Sequence, residues 1–352
     1  MTLLEAGQEE RGERATVMLN GACDHDADAF ATADPLLLEA LPRHVVECGN
    51  PMTVVQAVAL LGLFLRVRDD FTLDLGEGFR YSFDRSGFYF VLMRDLTPSA
   101  WRWFSGCVAH SDYAQDDQLI LMAQSALERI ERALRARDRL HEKLQLPASR
   151  DVSNEAIFYF DVALLMLGGA FDGLAHVVHV VQGLTGSERQ IGWGSERWMK
   201  RLSVENPGLE QMMTREQPHR DARGMVAILR NTIHQESLRT IMWQSRGTRR
   251  ERIAVPAGVE TDLETVIARV GTAEQFGVMR GADKRLYIEP GVYIENIFPS
   301  VFASINAVMN ATPVETLAGV DPAKLLTGPP DDETGIFTAP IRTRIRLLSG
   351  IE

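Results

Sequence analysis

Residues 153–183 read SNEAIFYFDVALLMLGGAFDGLAHVVHVVQG, and this stretch decides the fold class. It is far longer than an ordinary strand. Apolar side chains run nearly all round it, interrupted by Asp161, Asp172, His176 and His179. Ser153 or Asn154 can cap its start and Gly183 its end, so one long helix is expected. A helix apolar on most sides is either buried in a protein core or spans a membrane. That many ionisable groups are expensive in lipid, which favours the buried helix and no membrane partner. A membrane span stays as the alternative.

Three more long helices are expected around it. Residues 114–145 carry an apolar stripe of Leu119, Met122, Ala123, Ala126, Ile130, Ala133, Leu134 and Leu140, opposite a charged side with Glu128, Arg132, Arg135, Arg139 and Glu142. Pro147 stops this helix. Pro218 to Met242 reads as the third, and Val292 to Asn310, after Pro290, as the fourth, with Ile294, Ile297, Phe298, Val301 and Ile305 on one face. The prediction is a mainly α fold with a four-long-helix bundle at its core.

The outlying segments are smaller. Residues 1–34 are acidic and aperiodic and read as a disordered tail. Residues 35–112 read as a small α+β module of helix, hairpin and helix. It has a short helix at Leu36–Leu41, a helix from Met52 to Val67 capped by Thr53, and another begun by Thr97-Pro98-Ser99. Between these helices, Phe79, Tyr81 and Phe83 alternate, Asp84–Gly87 offers a turn, and Phe88, Phe90 and Leu92 alternate again, which predicts the hairpin. The bundle is expected over 113–311, with a short helix around Glu196–Leu202 and an insertion at 246–290. That insertion holds a helix at Thr261–Val270 and a second minor hairpin around Gly281-Ala282-Asp283. Residues 312–352 form a Pro- and Gly-rich extension with a terminal strand at Ile341–Leu348.

The 352 residues are 45% hydrophobic and 24% charged, ordinary for a globular protein with ample core. Cys23, Cys48 and Cys107 are odd in number and far apart. A disulfide framework and a zinc ribbon are both disfavoured, and a reducing compartment, the cytoplasm, is expected. The first residues lack a basic region followed by an apolar run, so no signal peptide is expected. No G-x-x-x-x-G-K-[ST], G-x-S-x-G, H-E-x-x-H, or strand-borne G-x-G-x-x-G pattern occurs, and no cofactor is expected.

Net charge is −11, yet the segment from Arg215 to Arg252 holds nine arginines against Glu216, Asp221, Glu236 and Glu251. A basic patch on an acidic body can dock phosphate, or it can simply decorate a helix and a loop. On the third helix Arg223, Arg230 and His234 fall on one side, beside Val226, Ile233 and Ile241. A guanidinium facing an apolar stripe needs a partner. Asp172, or alternatively Asp161, on the second helix is placed to supply it. Asp172, His176 and His179, spaced by four and three, also admit a metal site, although no further ligand completes one.

Arg230-Asn231-x-x-His234, on a late helix after two long ones, resembles the signature of the HEPN superfamily (higher eukaryotes and prokaryotes nucleotide-binding). The segment Gly-Gly-Ala-Phe-Asp-Gly-Leu-Ala-His around Asp172 looks like the second helix of some HEPN-like proteins. The resemblance covers at most residues 114–311. The family's signature places four to six residues between Arg and His, whereas three stand here and Gln235 follows His234. The resemblance implies a four-helix domain that dimerises and binds or cleaves RNA without metal, in a toxin, abortive-infection or antiviral system. Its site would comprise Arg230, Asn231, His234 and Asp172. The rival expectation is a non-catalytic interaction or scaffold protein, with a protein partner, in which Arg230, His234 and Asp172 only fix helix packing.

Overall fold

A computed structural model describes residues 29–33, 50–76, 79–146, 149–214, 216–234, 237–245, 248–329 and 335–351. The expected tail and the helix at Leu36–Leu41 lie largely or wholly outside them. The chain divides into two compact units, one of residues 1–68 with 346–352 and the other of residues 69–345. In the first, β1 (Ala29–Ala31) pairs in parallel with β2 (Asn50–Met52), followed by α1 (Val54–Val67). A capping box starts α1: the Thr53 hydroxyl accepts from the Gln56 N–H while the Gln56 side chain accepts from the Thr53 N–H. Gly62 of α1 lies so close to the Leu348 carbonyl that no side chain fits there, and Arg66 donates to that same carbonyl.

The second unit opens with a hairpin of β3 (Thr72–Gly76) and β4 (Phe79–Ser82). It continues through α2 (Arg85–Leu96), α3 (Ala100–Ala114), α4 (Gln118–Gln145), α5 (Arg150–Val181), α6 (Glu196–Glu205), α7 (Pro207–Met212) and α8 (Pro218–Ile233). After these come β5 (Arg239–Ser245), β6 (Thr248–Ala254), α9 (Glu260–Val270), β7 (Val278–Arg280), β8 (Leu286–Ile288), α10 (Pro290–Ala311) and α11 (Ala339–Ser349), whose last residues count with the first unit. The strands from β5 onward form one antiparallel sheet in the order β5-β6-β8-β7. The fold is mainly α, and its sheets are small.

The bundle of four helices is α4, α5, α8 and α10. The glycines of α5 let its neighbours approach closely. Arg129 of α4 donates to the Gly169 carbonyl at 2.7 Å, and a Cβ at Gly173 would meet Ala126 of α4 at 3.1 Å. On another side of α5, a Cβ at Gly168 would meet the Arg230 side chain of α8 at 3.3 Å. The buried Tyr293 of α10 donates to the Met225 carbonyl of α8 at 3.0 Å. By length and composition, α5 and the apolar stretch that begins at Pro290 could each cross a membrane, but more than half of each apolar window is buried inside the protein.

A polar network joins α2, α4 and α10, with Arg137 and Asp138 buried and Glu295 partly exposed. Arg137 grips Glu295 through Nε and Nη2 at 2.7 and 2.9 Å and donates to Asp138 at 3.0 Å; Tyr89 donates to Asp138 at 2.5 Å. His141 Nε2 lies 2.6 Å from Glu295. Burial alone would raise the Glu295 carboxyl, but Arg137 and His141 outweigh it and hold Glu295 at about 2.

Four expectations are corrected. Phe88–Leu92 is not the second arm of a hairpin but part of α2. Asp84 caps that helix by accepting from the Gly87 N–H, and Tyr89, Val91 and Met93 are buried as fully as Phe88 and Leu92. The partner strand of Phe79–Ser82 precedes it instead. The boundary expected near residue 112 falls at Arg68/Asp69, because α2 and α3 pack on α4. The third helix ends at Ile233, and Ile241 and Met242 belong to β5. The terminal strand is the helix α11: Ile341 and Ile345, four apart, are both buried, whereas Leu347 is exposed.

Candidate functional site

Arg230 sits in the last turn of α8, whose start is set by Pro218 at a first-turn position where its missing N–H costs nothing. From there its side chain passes over Gly168, and Nη2 donates to Asp172 Oδ2 at 2.8 Å. The pair is not sealed: the side chains keep 28% and 40% of their exposure, and Arg230 Nε has no partner. This joins two residues that facing stripes on α5 and α8 predicted to meet. Asp161, the alternative partner, stays apart. Its Oδ1 is buried without a hydrogen bond, and burial pushes its carboxyl up to about 6.

Two turns before Arg230, Arg223 makes no hydrogen bond or ion pair among the described residues, and its Nε is buried without a partner. Burial, together with repulsion from Arg220 and Arg230, lowers its pKa to about 10 despite the pull of Asp172. The guanidinium remains charged at neutral pH. Leaving a half-buried cation uncompensated is costly, and an incoming anion would relieve that cost.

These groups line one cleft of about 610 Å³, with Asp172, Arg220, Arg223, Arg230, Asn231 and Arg269 on its walls. Arg269 reaches it from α9 and donates to the buried Asp221 at 3.1 Å. Four guanidinium groups therefore share one concavity with three carboxylates, Asp172, Asp221 and Asp262. The far wall is the loop after α5, Gly192-Trp193-Gly194. The indole N–H of Trp193 donates to the Phe171 carbonyl at 2.7 Å and fixes that loop to α5. Gly192 has φ of 152°, a backbone conformation that favours glycine.

The four predicted site residues are placed as follows. Asp172 and Arg230 are in contact, and Asn231, exposed, lines the cleft beside them. His234 does not line it. It is the exposed C-cap residue of α8, one turn beyond Arg230. Arg220 lies in the arginine-rich segment, which was the sequence signal for it. Nothing in the sequence tied Arg269 or Trp193 to the site, because both arrive through tertiary packing.

Asp172, His176 and His179 do not converge on a metal. Asp172 is engaged by Arg230, and the Trp198 indole N–H donates to His179 Nδ1 at 3.3 Å. Burial and the charge of Arg201 lower the His179 pKa, which keeps the acceptor nitrogen unprotonated. Among the described residues, no group of three or more His, Cys, Asp or Glu is arranged to hold a metal ion. Compared with family models, curated proteins and solved structures, the chain matches none.

Proposed function

We propose that this protein binds RNA in the arginine-lined cleft and cleaves it without metal, as a HEPN-like cytoplasmic ribonuclease of a defence or toxin system. The observation that carries the reading is the open state of the Arg230–Asp172 pair beside the uncompensated Arg223. A fully buried structural pair uses every donor, whereas this pair reaches solvent and leaves Arg230 Nε without a partner. Guanidinium forks match phosphate oxygens, and Arg220, Arg223, Arg230 and Arg269 against Asp172, Asp221 and Asp262 leave the concavity a small positive surplus on an acidic body.

In the proposed reaction Arg223 and Arg230 hold the phosphate and Asn231 bonds a further oxygen. Neutral His234 takes the proton of the 2′-OH, whose oxygen attacks phosphorus. The 5′-oxygen leaves and takes up a proton, and a 2′,3′-cyclic phosphate and a 5′-hydroxyl result. In this reading His234, one turn beyond Arg230 at the end of α8, acts from outside the cleft wall, and the His234 of a symmetric homodimer partner is the proton donor.

A second reading has its own support. Arg230 packs on Gly168 and ties α8 to α5, as expected for a scaffold protein in which the cluster is structural. RNA cleavage in the presence of chelator separates the two readings. The proposal expects wild type to cut and His234→Ala to lose on the order of a hundredfold or more in rate without change in melting temperature. If wild type leaves RNA intact while Arg230→Ala melts markedly lower, the scaffold reading replaces it.

A further inference from the structure

The chain that leaves the cleft leads into a second one. Asn231 lines the first, and six residues further on Ser237 lines a separate concavity of about 400 Å³, with Arg239, Glu260 and Arg285 on its walls. Helix α9 borders both: Glu260, at its start, faces the second, and Asp262, Thr265 and Arg269 face the first. His234, exposed, stands between Asn231 and Ser237 in the chain.

The second cleft has a surplus of positive charge. Glu260 is already engaged: Arg280 donates to its Oε2 at 3.0 Å, and the Leu286 N–H donates to its Oε1 at 3.1 Å. Arg239 has no hydrogen bond or ion pair among the described residues, and Arg285 is only 3.9 Å from Asp283 at its nearest. Both arginines are exposed, and neither side chain makes a hydrogen bond among the described residues.

We propose that this second cleft is a further phosphate subsite for the same RNA strand, so that the strand crosses His234 with a phosphate anchored on either side. The inference rests on the RNA reading above and narrows its substrate. Six residues of extended chain span at most about 20 Å, which bounds the separation of Asn231 and Ser237. Concavities of several hundred Å³ suit one or two nucleotides each, not a duplex. The substrate is therefore a single strand several nucleotides long, neither a mononucleotide nor double-stranded RNA.

The test is fluorescence anisotropy with a labelled 2′-O-methyl RNA dodecamer, which cannot be cut, and a labelled dinucleotide. Both are titrated into the wild-type chain, the double variant Arg239→Ala/Arg285→Ala, and Arg223→Ala. The double variant is expected to bind the dodecamer on the order of tenfold more weakly, with the salt slope reduced by about 1.4 for two lost phosphate contacts. It should bind the dinucleotide as wild type does, whereas Arg223→Ala should weaken both. Equal melting temperatures verify that the exposed substitutions leave the fold intact. If the double variant keeps the wild-type dodecamer affinity and salt slope while Arg223→Ala weakens binding, the second subsite is refuted and the RNA reading stands. Equal loss of dodecamer and dinucleotide also refutes it. If wild type binds neither, both proposals fall.

Discussion

Two arginine–carboxylate clusters hold the long helices together, and they are built to opposite standards. Around Arg137, Glu295 and Asp138 every charge has a counterpart, and Arg137 is sealed from water. Around Arg230 and Asp172 the pair stays open, one nitrogen is idle, and Arg223 stands beside it with nothing to hold. The same chemistry is closed in one place and unfinished in the other. A closed ion cluster specifies helix packing, while the unfinished one is, in the reading proposed above, where an anion binds.

The sharpest way to break this contrast is to remove one arginine from each cluster. Arg137→Ala leaves buried Asp138 and half-buried Glu295 without their cation and is expected to cost about 3–5 kcal/mol in urea unfolding. Arg230→Ala, at a solvent-reaching pair, should cost about 1 kcal/mol or less while weakening RNA binding on the order of tenfold. Equal destabilisation by the two, with RNA binding intact, would erase the distinction.

A smaller effect lies in the pH dependence, where two carboxyls act with opposite sign. Glu295 is depressed from 4.5 to about 2, so its contribution is complete above pH 4.5 and drains away as pH falls toward 2. Asp161 is raised from 3.8 to about 6, so its contribution is complete below pH 3.8 and is lost as pH rises through 6. Asp161→Asn should therefore stabilise the protein at pH 7 by about 1 kcal/mol, after allowance for solvent screening, and give no gain near pH 4. Urea midpoints measured across pH 3–8 check both limbs, and a gain that persists at pH 4 would mean that titration is not its source.

The smallest expected change is at Gly168. A methyl group there gains helix propensity but must press Arg230 aside by a few tenths of an ångström. Gly168→Ala should leave stability within about 0.5 kcal/mol of wild type. RNA affinity should fall roughly twofold, because only the orientation of Arg230 is disturbed. An unchanged anisotropy titration would show that the path of Arg230 over α5 is unimportant for binding.

Much of this contrast was legible in the sequence, but unevenly. The long helices declared themselves through apolar stripes with a period near 3.6, and the Arg230–Asp172 contact followed from two such stripes facing each other. The Arg137 cluster carried a fainter signal. Ile130, Leu134, Arg137 and His141 continue one stripe at helical spacing, so its charges lie on a buried face even though they look like surface residues. Where local pattern was ambiguous it misled. In Ile341–Leu348 apolar and charged residues nearly alternate, as in a strand, yet the spacing of four between Ile341 and Ile345 prevails because a helix buries both. The helix at Arg230 was extended too far for a related reason: nothing before Ser237 marks its end strongly, and Thr240, Ile241 and Trp243 suit a strand once a partner such as β6 exists. Arg269 and Trp193 had no local signal at all.

Trp193 has a practical consequence. It lines the cleft, is almost fully shielded from water, and meets Trp198 edge-on at 5.1 Å. Emission from such a ring responds to charge arriving beside it, so the cleft carries its own optical reporter. Occupancy can be followed from intrinsic fluorescence on unlabelled protein, and Trp193→Phe, which keeps the other four tryptophans, should lose the part of the response that Trp193 carries.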